Sequence, residues 1–151
     1  MHEDLIEMAR GLAEPCASLY EKVAMMANLS SLLFWNVKDL NWIGFYLLKG
    51  DDLVLGPFHG QVACTMLKKG RGVCQKAIET ASTVVVDDVE AFPGHIACDS
   101  SSRSEAVVCL KDKAGRAFGV LDADSSRKSR FDSQTVLLLE AIGQMVSKAW
   151  S

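Results

Sequence analysis

The sequence predicts an α+β fold: an antiparallel sheet with the terminal helices on one face and a loop-covered pocket on the other. Three observations lead there. Two pairs of strand-forming runs are each joined by a short turn, which makes two hairpins. The longest helical patterns lie at the two ends of the chain. Two long segments without regular pattern interrupt the middle, where they can fold over the free face of the sheet.

Taken in order, "MHEDLIEMARGLAE" reads as a short helix. Pro15 then opens a longer one, because proline is tolerated in a first helical turn. Leu19, Val23, Met26, Leu33, Phe34 and Val37 recur at helical spacing and make its apolar face. "NWIGFYLL" is rich in strand formers, "KGDD" is a turn signal, and "DLVLGPF" is the returning arm. "HGQVACTMLKKGRG" is broken by glycines and reads as a loop. "GVCQKAIETAS" is a short helix and "TVVVDD" a β-branched strand. "VEAFPGHIACDSSSRS" is the second long loop. "EAVVCLKD", the turn "KAG" and "RAFGVLDAD" form the second hairpin. Asp132 caps a last helix whose inner face carries Val136, Leu139, Ile142 (or Gly143) and Val146.

Composition narrows the class. The 151 residues are 49% hydrophobic and 23% charged, as in an ordinary globular protein, and suggest one domain over residues 1–151. A chain of this length buries about 70% of its unfolded surface and needs no staples. The net charge of −3, with no basic stripe, argues against nucleic-acid binding. No run approaches the roughly 18 apolar residues of a membrane span. The N-terminus is acidic where a secretory signal would be basic, so a soluble, cytoplasmic protein is expected.

Five cysteines are an odd number and include no CxxC pair. In a reducing compartment they are free, metal-bound or redox-active. Cys16, in a helix, and Cys109, in an alternating strand, read as small core hydrophobes. Cys64 and Cys98 lie in the two long loops. Cys74 lies at a helix start after "KGRG", where the helix dipole and Arg71 would lower its pKa. Any one of these three alone reads as an inert buried thiol. Three together in glycine- and serine-rich contexts point to chemistry. Cys98 in particular has nothing apolar after it until Ala106. His59, Cys64, Cys74, His95 and Cys98 match no compact zinc spacing, which speaks against a metal site. The competing chemistry is thiol redox, in which one cysteine attacks and another resolves the product as a disulfide.

The acids are the second clue. Asp122 and Asp124 are two apart in a strand and so face the same side. Pairing around "KAG" brings Glu105 close to both. Such a trio can be a solvated sheet edge. Gathered at one end of a hairpin, it also forces at least one carboxyl to a raised pKa and makes it a proton donor near neutral pH. Trp42 and Tyr46 share one strand face, with Ile43, Phe45 and Leu47 on the other, and from the pattern alone Trp42 reads as a core residue.

The stretches "NWIGFYLL", "GPFHGQVACTMLKKGRGVC", "VEAFPGHIACDSSSRSE", "GVLDADS" and "RFDSQTVLLLEAIGQMV" resemble the free methionine-(R)-sulfoxide reductases, enzymes with a GAF fold. The likeness runs from about Asn41 to the C-terminus and includes three cysteines and three carboxylates in the family's order. It implies that Cys98 is the nucleophile, Cys64 the main resolving thiol and Cys74 an auxiliary one. It implies that Glu105, Asp122 and Asp124 bind substrate, that Glu105 is the catalytic acid, and that Trp42 and Tyr46 form an aromatic wall. It further implies a homodimer that reduces free methionine-(R)-sulfoxide through a sulfenic acid and an intramolecular disulfide, recycled by thioredoxin, with no cofactor. Cys16 and Cys109 lie outside the family's catalytic pattern. His59 stands where relatives can have glutamine and carries no role. An acidic pocket is expected to push the Cys98 thiol above its usual value of about 8.5. His95, Arg103 or the substrate's ammonium group would offset this. The alternative is a non-catalytic GAF sensor of a small ligand or of redox state.

Overall fold

The structure, a computed structural model, describes residues 2–95 and 101–150. Helices α1 (His2–Leu12) and α2 (Leu19–Asn36) precede a hairpin of β1 (Leu40–Lys49) and β2 (Asp52–Gly60). Then come β3 (Met66–Leu67), α3 (Gly72–Thr80), β4 (Val84–Val86) and a 3₁₀ turn over Val89–Ala91. The second hairpin, β5 (Ser104–Lys111) and β6 (Ala117–Ser125), leads into α4 (Ser133–Trp150). The strands form one sheet in the order β3-β2-β1-β6-β5-β4, every neighbour antiparallel. Among the described residues no helix is long and apolar enough to cross a membrane.

Strand alternation gives the sheet two apolar faces. One carries Ile43, Phe45, Leu110 and Leu121 and is covered by α2 and α4 through Leu29, Leu33, Leu139 and Ile142, with α1 packed against those two helices. The other carries Trp42, Tyr46, Val107 and Val120 and is covered by Val73 and Ala77 of α3. So the terminal helices take one face, as the hairpin argument requires. The second face is roofed by a helix as well as by loops.

Local differences from the sequence reading have physical reasons. Helix α2 starts at Leu19, not at Pro15, because Ser18 caps it: the Ser18 hydroxyl accepts from Tyr20 N at 3.2 Å and donates to Glu21 at 2.8 Å. The S-x-x-E spacing is that of a capping box, although Glu21 here holds the Ser18 hydroxyl and not its backbone N–H. Its buried stripe runs through Met25, Met26, Leu29 and Leu33, which leaves Leu19 (65% exposed) and Val23 (44%) at the rim. The glycine-rich segment after β2 contains the strand β3, too short to show a period; it pairs with Leu53 and Val54. At α4, Asp132 caps Thr135 N at 2.9 Å, and both Ile142 and Gly143 are buried. A side chain on Gly143 would press on Val108 of β5. Cys16 is buried as expected. Cys109 is only half-buried: β4 pairs with Glu105 to Val107 and stops, so Cys109 lies past its end, in a groove against α4.

Candidate active site

The register of the three central strands builds a pocket from residues distant in sequence. Glu105 of β5 pairs with Asp124 of β6, and Asp124 pairs in turn with Trp42 of β1. Asp122 lies between Val107 and Gly44. All these side chains point to the α3 face, where α3 contributes Cys74. Trp42, Tyr46, Glu105, Asp122 and Asp124 line one pocket, on the shared faces that strand alternation gives them.

Gly44 decides the shape of the wall. A Cβ there would lie 2.8 Å from the Trp42 ring, so only glycine lets the indole fold across its strand. Trp42 then stacks between Phe58 (5.3 Å between centroids) and Tyr46 (5.9 Å). Both aromatic residues also hold the loop that follows β2. Trp42 Nε1 donates to the Gln61 carbonyl at 3.1 Å, and the Tyr46 hydroxyl donates to the Cys64 carbonyl at 2.8 Å.

Electrostatics set the protonation of the acids. Glu105 and Asp122 are almost wholly buried. Burial, followed by the Asp122 and Asp124 charges, holds the Glu105 carboxyl well above the usual carboxylate range. Asp122 is raised by burial, while hydrogen bonds from Glu105, Cys74 and Asp124 pull it back down. Glu105 is therefore the acid held most strongly toward its neutral form, within a hydrogen-bonded cluster with Asp122 and Asp124. His95 Nε2 lies 3.8 Å from Glu105, beyond hydrogen-bond length, and burial lowers its pKa.

Cys74 differs from the sequence expectation. Its thiol is pushed well above its ordinary value by burial and by Asp122, Glu105 and Asp124. The helix start cannot offset two buried acids and the half-buried Asp124 beside them, and the Arg71 side chain is exposed to water. Cys64 is half-buried and disulfide-bonded, whereas Cys16, Cys74 and Cys109 are free. Cys98 lies outside the described residues. His59 is not part of the pocket; it packs on Phe34 at 4.3 Å, on the α2 side of the sheet. The five-residue metal set considered from the sequence is thus not assembled. Among the described residues the group that is assembled is Cys74, Glu105 and Asp122, with ligand atoms all within 4.8 Å of one another.

Gly44, beneath the aromatic wall, and Ser102, in the pocket lining, are among the residues that the sequence reading does not single out. Gly44 carries a signal, a glycine inside a strand of aromatic and β-branched residues. Ser102, which accepts from Asn41 Nδ2 at 3.1 Å and lines the pocket, is one serine in a run and carries none.

Comparison with known proteins agrees with this architecture. Residues 7–150 match the GAF domain family. The chain is 47% identical over 112 residues to the free methionine-R-sulfoxide reductase of Escherichia coli, covering 74% of this chain and 67% of that one. It is 40% identical over 134 residues to the enzyme of the same name from Saccharomyces cerevisiae, covering 84% and 74%. The crystal structure of free methionine-R-sulfoxide reductase from Neisseria meningitidis, in complex with its substrate, superposes with a TM-score of 0.90. It is 40% identical, and the match covers 99% of this chain and 87% of that one. The chain belongs to the free methionine-R-sulfoxide reductase family. Membership makes it an oxidoreductase on a GAF fold. Within this family frame, the pocket is an aromatic wall facing a buried acidic floor.

Proposed function

We propose that this family member reduces free methionine-(R)-sulfoxide to methionine with its own cysteines. The observation that carries the reading is Glu105, kept protonated at the floor of the pocket by burial and by two aspartates. Reduction of a sulfoxide needs a proton on the departing oxygen, and a buried neutral carboxyl supplies one near neutral pH. Asp122 and Asp124 offer negative charge to an ammonium group, which a residue inside a polypeptide lacks. Trp42 and Tyr46 give the apolar end of the substrate a wall to lie against.

The reaction then runs in balanced steps. The Cys98 sulfur attacks the sulfoxide sulfur while Glu105 protonates its oxygen. Methionine leaves, the oxygen ends on Cys98, and Cys98 is a sulfenic acid. The Cys64 thiol attacks that sulfur, water leaves, and a Cys64–Cys98 disulfide forms. Thioredoxin, a dithiol, is oxidised as it returns both cysteines to thiols. The assignment of Cys64 is supported by its disulfide-bonded state, while Cys74 keeps its thiol. Cys74, hydrogen-bonded to Asp122, serves better as a proton-holding part of the floor than as an exposed resolving thiol. The assembly follows the family resemblance, a homodimer in the cytoplasm.

The test is methionine release with dithiothreitol from free and N-acetylated methionine-(R)-sulfoxide. The free amino acid is the better substrate by an order of magnitude or more, since a charge-assisted contact contributes about 1.5–3 kcal/mol. Cys98→Ser abolishes turnover with every reductant. Equal kcat/KM on the two substrates would overturn the ammonium site.

A further inference from the structure

The floor of the pocket holds a cluster that substrate binding does not fully use. Cys74 comes from α3, Glu105 from β5 and Asp122 from β6. One sulfur and two carboxylate oxygens lie within 4.8 Å of one another. The residues are 4%, 6% and 5% exposed, so the set is fixed by three packed elements and shielded from bulk water. Asp122 Oδ1 is buried and accepts no hydrogen bond. A buried carboxylate oxygen without a donor is costly. Its partners here are other acids and a thiol, whose contacts leave Oδ1 unserved. A metal cation answers all three groups at once.

The donor set selects the ion. Magnesium and calcium prefer six or more oxygens and make poor use of a thiolate. Zinc takes cysteine sulfur at about 2.3 Å and carboxylate oxygen at roughly 2.0–2.2 Å, commonly with three protein ligands and an open fourth position. A tetrahedron of those bond lengths puts neighbouring ligand atoms roughly 3.3–3.7 Å apart. Separations of up to 4.8 Å reach that by side-chain adjustments of about an ångström. All three residues line the pocket, which leaves room for a water as the fourth ligand.

We propose that Cys74, Glu105 and Asp122 form a Zn²⁺ site in the reduced protein, occupied in competition with the ammonium group of an amino-acid ligand. The thiol and carboxyl protons leave to solvent as the ion enters; no electron moves. The competition rests on the substrate pose proposed above, while ion binding itself does not.

The experiment uses the full chain, reduced and freed of metal with a chelator. Zn²⁺ is titrated against a chromophoric chelator, and Co²⁺ is followed for a thiolate-to-cobalt charge-transfer band. One ion binds per chain, with that band. Cys74→Ser removes the band, and Asp122→Asn weakens Zn²⁺ binding at least tenfold, both with native circular dichroism. The Cys64→Ser/Cys98→Ser double variant keeps the ion, because neither thiol is a ligand. A band that survives in Cys74→Ser, or no stoichiometric binding in the folded protein, overturns the site. In the double variant, which cannot turn over, methionine-(R)-sulfoxide displaces Zn²⁺. Retention of the ion at saturating sulfoxide overturns the competition and leaves the metal site standing. Displacement without activity in the wild type would instead sink the catalytic reading.

Discussion

Glu105 is an acid that its surroundings keep from ionising, and this has a sign in stability. Its pKa and that of Asp122 are higher in the folded chain than in the unfolded one. The folded state thus binds more protons above pH 4–5, and its stability falls as pH rises from there through the folded values. Glu105→Gln removes one such titration. The difference in Tm between variant and wild type therefore grows in the variant's favour from pH 5 to pH 8, as calorimetry at each pH checks. In kinetics the same variant loses kcat by an order of magnitude or more, because the proton donor is gone. Wild-type kcat declines on the alkaline side as Glu105 ionises. Asp124→Asn raises KM mainly, since it weakens binding of the ammonium group rather than proton transfer. These acids were legible in the sequence, because a two-residue spacing and a hairpin register are enough to gather them. Cys74 was misread for the opposite reason: a helix start is visible in sequence, but burial beside three acids is not.

Strands and loops carry the next layer. In β1, Gly44→Ala places a methyl group against Phe58 and the Trp42 ring. Overpacking of this kind costs about 1–3 kcal/mol and displaces the indole. Urea unfolding should show that loss, with a raised KM for sulfoxide in the same protein. Tyr46 ties β1 to the loop of Cys64 through one hydrogen bond. Tyr46→Phe removes the tie, worth about 1 kcal/mol, and lets the loop wander. The sulfenic acid on the attacking cysteine then lives several-fold longer, which a dimedone-type trapping reagent measures during a single turnover. At this scale the two hairpins were readable because strand formers flank clear turn residues. The start of α2 lies later than Pro15 suggests, because a proline only tolerates a first turn whereas the Ser18 hydroxyl caps one. The strand β3 was missed because two residues have no period.

The molecule as a whole separates support from chemistry by means of its sheet. Leu29 is fully buried in the helix-covered face. Leu29→Ala costs about 2–5 kcal/mol, while kcat/KM of the folded protein stays within about twofold, a split that denaturation and steady-state assays read together. The fold class followed from hairpins between terminal helices, a pattern set by local periodicity alone. The pocket followed only in part, since the placement of α3 over the second face depends on packing that spans the whole chain.

The order of the strands has one more consequence, for how the protein is assembled. Each hairpin closes over a few residues, but β1 and β6 meet across about half of the chain, as Phe45 and Leu121 do. Contacts this distant in sequence form slowly and late. Trp42 faces Asp124 along that same seam, so the wall and the floor exist only once it has zipped. Until then the chain exposes its thiols without the pocket that directs them. Refolding from urea should accordingly regain hairpin structure before activity, with catalysis returning in step with burial of Trp42 and not sooner.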